Sequence, residues 1–103
     1  MVNIKTLEQT LKANEFAITA EIPAPISASA SEIEEKIDLL TGHVHAINVT
    51  DNPGATAHMS SLAGCSIVRN KGIDPIFQVT CRDRNRLAIQ SDLMGASALG
   101  INN

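Results

Sequence analysis

Short runs of strand-forming residues recur along this chain at regular intervals, and each is followed by a segment with the pattern of a helix. The runs begin at Phe16, Val44 and Ile76, so a strand and its helix together occupy about 30 residues. The helical segments end near glycines such as Gly42 and Gly72, a residue that commonly follows the last turn of a helix. Strands that alternate with helices predict an α/β fold with a parallel sheet.

Polar side chains alternate with apolar ones near the carboxyl end of each strand. The polar pairs are Thr19 with Glu21, Asn48 with Thr50, and Gln78 with Thr80. Residues two apart lie on the same face of a strand, so each strand has one polar face and one apolar face. An open sheet covered by helices on both sides is expected to be apolar on both, whereas a barrel points alternate residues into its lumen. The pairs therefore favour a barrel.

The predicted fold is a partial (β/α)₈ TIM barrel of about three strand–helix units. A helix within Asn3 to Ala13 precedes the first strand, and Ile101 begins a fourth strand. Ser31 and Glu34 match a capping box at the start of the second helix. Residues 1–103 are interpreted as the N-terminal fragment of a single barrel domain, since a whole barrel takes about 250 residues. Its unpaired strand edges predict completion by further chain or by an oligomeric partner.

Charge and composition argue against several kinds of partner. The formal net charge is −3 and the only aromatic residues are Phe16 and Phe77, so nucleic acid is not expected. No apolar run reaches the ~20 residues that cross a membrane, and no apolar signal segment begins the chain. A cytoplasmic location is therefore expected.

The cysteines and histidines carry no recognisable site. Cys65 and Cys81 are too few for a disulfide framework and are interpreted as reduced thiols. The three histidines do not have ligand spacing, so no metal site is predicted.

Glu21 is the candidate for proton transfer. It ends the first strand on the polar face, directly before two prolines at 23 and 25. A partly buried carboxylate in that place is expected to exchange protons near neutral pH, as a general acid or base must. A solvated loop carboxylate is the alternative interpretation.

Two polar loops follow the second and third strands, from Thr50 to Ala55 and from Thr80 to Asn85. Each precedes a helix N-terminus, which favours anions. Ordinary turn and capping chemistry explains the same residues, because neither loop has the glycine pattern of a nucleotide-binding motif. The arginines at 82, 84 and 86 are expected to form exposed ion pairs of small energetic value with Asp83, while one of them is available to a ligand phosphate.

The strand ends resemble those of the methylenetetrahydrofolate reductase family. The similar segments are Phe16 to Pro25, Val49-Thr50 leading into Asn52-Pro53-Gly54-Ala55, and Val79-Thr80-Cys81 with Asp83 and Asn85. Two further segments, Thr80 to Leu87 and Ala98 to Ile101, are similar to bacterial and archaeal members. The resemblance covers nearly the whole chain.

This resemblance implies a flavoprotein oxidoreductase of one-carbon metabolism. FAD would lie at the C-terminal mouth of the barrel, accept electrons from NAD(P)H or another donor, and pass hydride to 5,10-methylenetetrahydrofolate to give 5-methyltetrahydrofolate. Glu21 matches the general acid that opens the folate's imidazolidine ring. The implied cofactor-binding residues are Thr50, Asn52, Gln78 and Thr80.

Some positions depart from the family pattern. Gln78 stands where many members carry a histidine beside the flavin, and Asp51 replaces a common aromatic residue. The family's aspartate near both flavin and pterin follows the fourth strand, after Asn103, so the fragment alone is expected to be inactive.

Two other functions fit the same residues. One is a non-catalytic subunit or interaction domain that keeps the shape of the partial barrel. The other is a pterin-binding barrel of the corrinoid-linked methyltransferase type, in which Asn48 matters more than Glu21.

Overall fold

Helices and strands alternate along the chain, as the spacing of its apolar runs predicts. A computed structural model describes residues 5–103. The elements are α1 (Leu7–Lys12), β1 (Thr19–Ile22), α2 (Ala30–Leu40), β2 (Ala46–Val49), a 3₁₀ turn (Pro53–Ala55), α3 (Ser61–Asn70), β3 (Asp74–Phe77) and α4 (Arg86–Ala98). The beginning of the predicted first helix, before residue 5, lies outside the described residues. Within the described residues, every helix is too short or too polar to cross a bilayer.

The strands form one parallel sheet in chain order, with β2 at its centre. The chain returns to this sheet after α4, because the backbone N–H of Phe77 donates to the carbonyl of Asn103 at 2.8 Å. Ile101 is buried in the apolar core, against which Phe77 also packs. Residues 101–103 have no regular strand conformation, but they lie against β3, where a following strand was predicted. The α/β class and the parallel sheet are confirmed.

The apolar core lies between one face of the sheet and the helices. Ile47 and Val49 of β2 are fully buried, as are Ile33 and Ile37 of α2. Burial of each such side chain contributes about 1.5–3 kcal/mol. Helix α3 approaches β2 so closely that a Cβ on Gly64 would lie 2.7 Å from Cγ1 of Val49. The apolar side chains of β2 therefore set the distance between α3 and the sheet.

Two of the three strands end earlier than the polar pairs predict, because those pairs place Thr50 at the end of the second strand and Thr80 at the end of the third. β3 ends at Phe77, so Gln78 and Thr80 belong to the following loop, and Thr50 comes directly after β2. The reason is the register: Val49 of β2 pairs with Phe77, and no ladder partner follows. The backbone N–H of Thr80 donates instead to a carboxylate oxygen of Asp51 at 2.7 Å.

Helix beginnings also differ from the predictions. α2 starts at Ala30, and the capping box of Ser31 with Glu34 is wrong, since the hydroxyls of Ser29 and Ser31 pair with each other at 2.8 Å. A capping box is found instead at Thr6 and Gln9 of α1.

Candidate functional site

Glu21 and Asn48 are neighbours near the carboxyl ends of β1 and β2. They are paired in the parallel ladder, so their side chains share the face of the sheet opposite the core. The carboxamide Nδ2 of Asn48 donates to Oε1 of Glu21 at 3.3 Å. Glu21 is exposed rather than partly buried, because β1 is an edge strand and the helices pack on the other face. The carboxylate is therefore open to a ligand.

Thr50 is 7% exposed and holds two strand ends together. Its backbone N–H donates to the carbonyl of Ile22 at 3.2 Å. Its hydroxyl Oγ1 accepts from the backbone N–H of Ala24 at 3.1 Å. These two bonds continue the pairing of β1 with β2 beyond the last pair of the ladder. They therefore fix the direction in which the chain leaves β1.

A buried ion pair joins the loops that follow β2 and β3. The guanidinium of Arg84 binds both carboxylate oxygens of Asp51, with Nη2 to Oδ1 at 2.9 Å and a second bond from Nη1 to Oδ2. The Asp51 side chain is 0% exposed and that of Arg84 is 16% exposed. The backbone N–H of Thr80 donates to the same carboxylate. Two loops that are distant in the sequence are thereby held as one unit.

The charge state of Asp51 follows from these contacts. Burial acts to raise the pKa of Asp51, but the hydrogen bond from Arg84, the bond from the Thr80 backbone and the charges of Arg84 and Arg82 together hold the pKa below its ordinary value. Asp51 is therefore a carboxylate at neutral pH. The prediction of an exposed, weak pair is correct for Arg82 with Asp83 at 2.7 Å, and it is wrong for Arg84.

Asn52 shapes the turn after β2. Its backbone is left-handed, with φ 46° and ψ 56°, a conformation that asparagine adopts more readily than most residues. The side-chain Oδ1 accepts from the backbone N–H of His58 at 3.0 Å, and the backbone carbonyl accepts from Nη2 of Arg82 at 2.8 Å. Both Asn52 oxygens are thus used within the loops.

Gln78 and Thr80 lie at the start of the loop after β3. The Gln78 side chain is exposed, while its backbone carbonyl accepts from the hydroxyl of Ser61 at 2.8 Å. Oγ1 of Thr80 accepts from the backbone N–H of Arg82 at 3.3 Å. The carboxamide of Gln78 is therefore accessible to a ligand, whereas Thr80 is hydrogen-bonded within the loop.

The predicted residues form two groups at this end of the sheet. Glu21 contacts Asn48, and the loop residues Thr50, Asn52 and Thr80 lie around the ion pair of Asp51 with Arg84. Strand parity predicts that Glu21 and Asn48 lie on the same face of the sheet, and the register of β1 with β2 makes them neighbours. Asp51 and Arg84 are 33 positions apart, and no local pattern links them.

Comparison with known families places the chain. The family model described as methylenetetrahydrofolate reductase matches residues 6–103, which includes every element from α1 to α4. A comparison with curated protein sequences returned no significant match. The family match indicates an oxidoreductase of folate and one-carbon metabolism. The chain belongs to the methylenetetrahydrofolate reductase family.

Proposed function

We propose that this chain is the N-terminal part of an FAD-dependent enzyme that reduces 5,10-methylenetetrahydrofolate to 5-methyltetrahydrofolate. The observation that carries the proposal is the uncovered carboxyl end of the sheet, where Glu21 is exposed and hydrogen-bonded to Asn48. Active sites of (β/α)₈ barrels lie at this end of the strands.

The strand order supports a barrel as the architecture of the whole domain. The strands follow chain order, and residues 101–103 lie beside β3. A doubly wound sheet reverses direction and has helices on both faces, whereas a barrel adds each new strand beside the last. We assign residues 1–103 to a single barrel domain, with the open strand edges covered by further chain or by an oligomeric partner.

The residues around the site fit a flavin. FAD would supply the hydride for the folate carbon. The carboxamide of Gln78 is exposed and offers both donors and an acceptor to the polar edge of a flavin ring. Thr50 and Thr80 already accept hydrogen bonds through their hydroxyl oxygens, so each would contact the cofactor as an O–H donor. Asn52 would do so through its Nδ2 group, because Oδ1 is bound to His58.

Glu21 has the accessibility that a general acid requires. One carboxylate oxygen is bound to Asn48, and the exposed side chain leaves the other oxygen for the substrate. In the proposed role, Glu21 delivers a proton to the folate ring nitrogen as the imidazolidine ring opens, and takes up a proton from solvent before the next turnover. The reductant for the flavin is NAD(P)H or another electron donor.

Retention of FAD tests the cofactor assignment. Protein incubated with saturating FAD and then freed of unbound cofactor should keep the visible absorbance of a bound flavin. A protein that never retains FAD, alone or with its partner, would overturn the assignment and favour a non-catalytic subunit.

Glu21→Gln tests the acid. In the flavin-loaded enzyme it should abolish folate reduction and leave reduction of the flavin by the electron donor largely intact. Glu35→Gln on the exposed surface of α2 is the matched control. Equal loss of both half-reactions in Glu21→Gln would rule out the acid role.

A further inference from the structure

The carboxamide of Asn48 is only half used by the protein. Nδ2 donates to Glu21, but Oδ1 is buried and, among residues 5–103, has no hydrogen-bond partner. A buried acceptor without a donor lowers stability, and it is uncommon in native proteins. Asn48 therefore lowers the stability of the fold, and its presence requires another explanation.

The position of Asn48 is well suited to holding another side chain. Its neighbours Ile47 and Val49 are fully buried, and β2 is paired on both sides. Glu21, in contrast, is exposed on an edge strand and has a long side chain with several rotamers. A hydrogen bond from the rigid central strand restricts the directions in which this carboxylate can point.

The present orientation of the Asn48 carboxamide suits both protonation states of Glu21. A carboxamide can donate through Nδ2 to a carboxylate, or accept through Oδ1 from a protonated carboxyl group. Half a turn about the terminal bond exchanges these two groups. That reversal would move the two N–H donors of Nδ2 to the buried place of Oδ1, where they would need acceptors, whereas a protonated carboxyl group keeps an oxygen that accepts from Nδ2 in its present orientation.

We propose that Asn48 is a positioning residue for Glu21, whose carboxamide Nδ2 keeps that carboxyl group oriented in both protonation states. The inference rests on the proposed acid role of Glu21. A general acid alternates between the two states in each turnover, and a carboxyl oxygen that carries no proton can accept from Nδ2 in both of them. Asn48 itself acts through Glu21 and transfers no proton.

The test replaces the carboxamide with a hydrocarbon of nearly the same shape. Asn48→Leu in the flavin-loaded enzyme should slow folate reduction at saturating folate by about tenfold or more, since small errors in the placement of a catalytic group are costly to rate. Flavin reduction by the electron donor should not change. The unfolding midpoint should stay the same or rise, because the unpaired buried oxygen is removed.

A double variant separates this inference from the proposed function. In a Glu21→Gln background, where only a residual rate of folate reduction is left to be followed in single turnovers, Asn48→Leu should not lower that residual rate further. If Glu21→Gln alone leaves folate reduction intact, the acid assignment fails, and with it the basis of this inference. If Glu21→Gln slows folate reduction but Asn48→Leu does not, or if Asn48→Leu unfolds the protein or slows both half-reactions equally, the role of Asn48 is wrong while the acid role stands.

Discussion

The two ends of the sheet are held together by different kinds of interaction. At the carboxyl end, Asp51 and Arg84 form an ion pair whose carboxylate is fully buried. At the amino end, α1 is attached by the backbone N–H of Leu7, which donates to Oδ2 of Asp74 at 2.8 Å, and the side chain of Asn103 donates to the same oxygen at 3.0 Å. The ion pairs near α1 join exposed side chains.

The buried pair and the exposed pairs differ in how strongly they fix the geometry of the residues around them. A buried, bidentate pair fixes direction as well as distance, so the loops that carry Thr50 and Thr80 are held in one relative arrangement. Exposed pairs contribute little to stability and fix little geometry. We therefore expect substitutions at the carboxyl end to have much larger effects than comparable substitutions at the amino end.

Arg84→Ala should have the largest effect on stability. It leaves the Asp51 carboxylate buried without its cation, and breaking a buried pair in this way costs about 3–5 kcal/mol. Urea denaturation of the protein measures the change in the free energy of unfolding. Arg86→Ala, an exposed arginine at the start of α4, is the matched control. Equal losses of unfolding free energy in the two variants would show that the buried pair stabilises the protein no more than an exposed arginine does.

The stabilisation by Arg84 should disappear in acid. The pKa of folded Asp51 lies below the ordinary value of 3.8, so the stability that Asp51 contributes is present above that value and is lost as pH falls through the lower folded value. Without Arg84, its hydrogen bond and charge no longer lower the pKa of Asp51, while burial still raises it, so this contribution to stability becomes smaller. The difference in unfolding free energy between wild type and Arg84→Ala should therefore shrink as pH falls from neutral to below 3.8. A constant difference across this range would contradict the assigned charge state.

Asp74→Ala should have an intermediate effect at the opposite end. It removes the acceptor of the Leu7 and Asn103 bonds, and the loss of such hydrogen bonds costs about 1–3 kcal/mol. Helix α1 should then detach locally, which limited proteolysis near residues 12–18 would detect before global unfolding. Asp74→Asn keeps an acceptor oxygen and is the control. Protection of α1 in Asp74→Ala would mean that the helix is held by other contacts.

Lys12→Ala should have the smallest effect. Its ion pair with Glu8, at 2.6 Å, joins side chains that are 75% and 66% exposed, and solvent screens such pairs. We expect an unfolding free energy that cannot be separated from wild type in repeated urea titrations. A clear loss of unfolding free energy would mean that exposed ion pairs also stabilise the amino end of the sheet.

The sequence predicted those features that depend on periodicity. The alternation of strands and helices, the apolar core face of β2 and the placement of Glu21 and Asn48 on the polar faces of their strands all follow from spacing within single elements. Strand ends were less predictable, because the end of β3 is decided by the register with β2 rather than by its own residues. The start of α2 differed because Ser29 and Ser31 bind each other rather than the helix backbone.

The pair of Asp51 with Arg84 shows the limit of prediction from local pattern. Arg84 lies in a run of alternating charges, which is typical of an exposed segment, and Asp83 is its immediate neighbour in sequence. In the structure Asp83 pairs with Arg82, while Arg84 reaches the carboxylate of another loop. Only the fold brings these two residues together, because the loops after adjacent parallel strands meet at the same edge.

The in-register pairing of Glu21 with Asn48 makes the location of the acid a property of strand alignment. Side chains alternate along a strand, so a shift of β1 by one residue would turn Glu21 toward the helices and bring Ala20 or Ile22 to the polar face. The backbone of Ile18 is still bound to His45, so changes in loop length can be absorbed without such a shift only before Ile18 or after Pro25. An inserted or deleted residue within β1 cannot, and this four-residue strand is therefore the part of the chain in which length, more than composition, constrains the proposed chemistry.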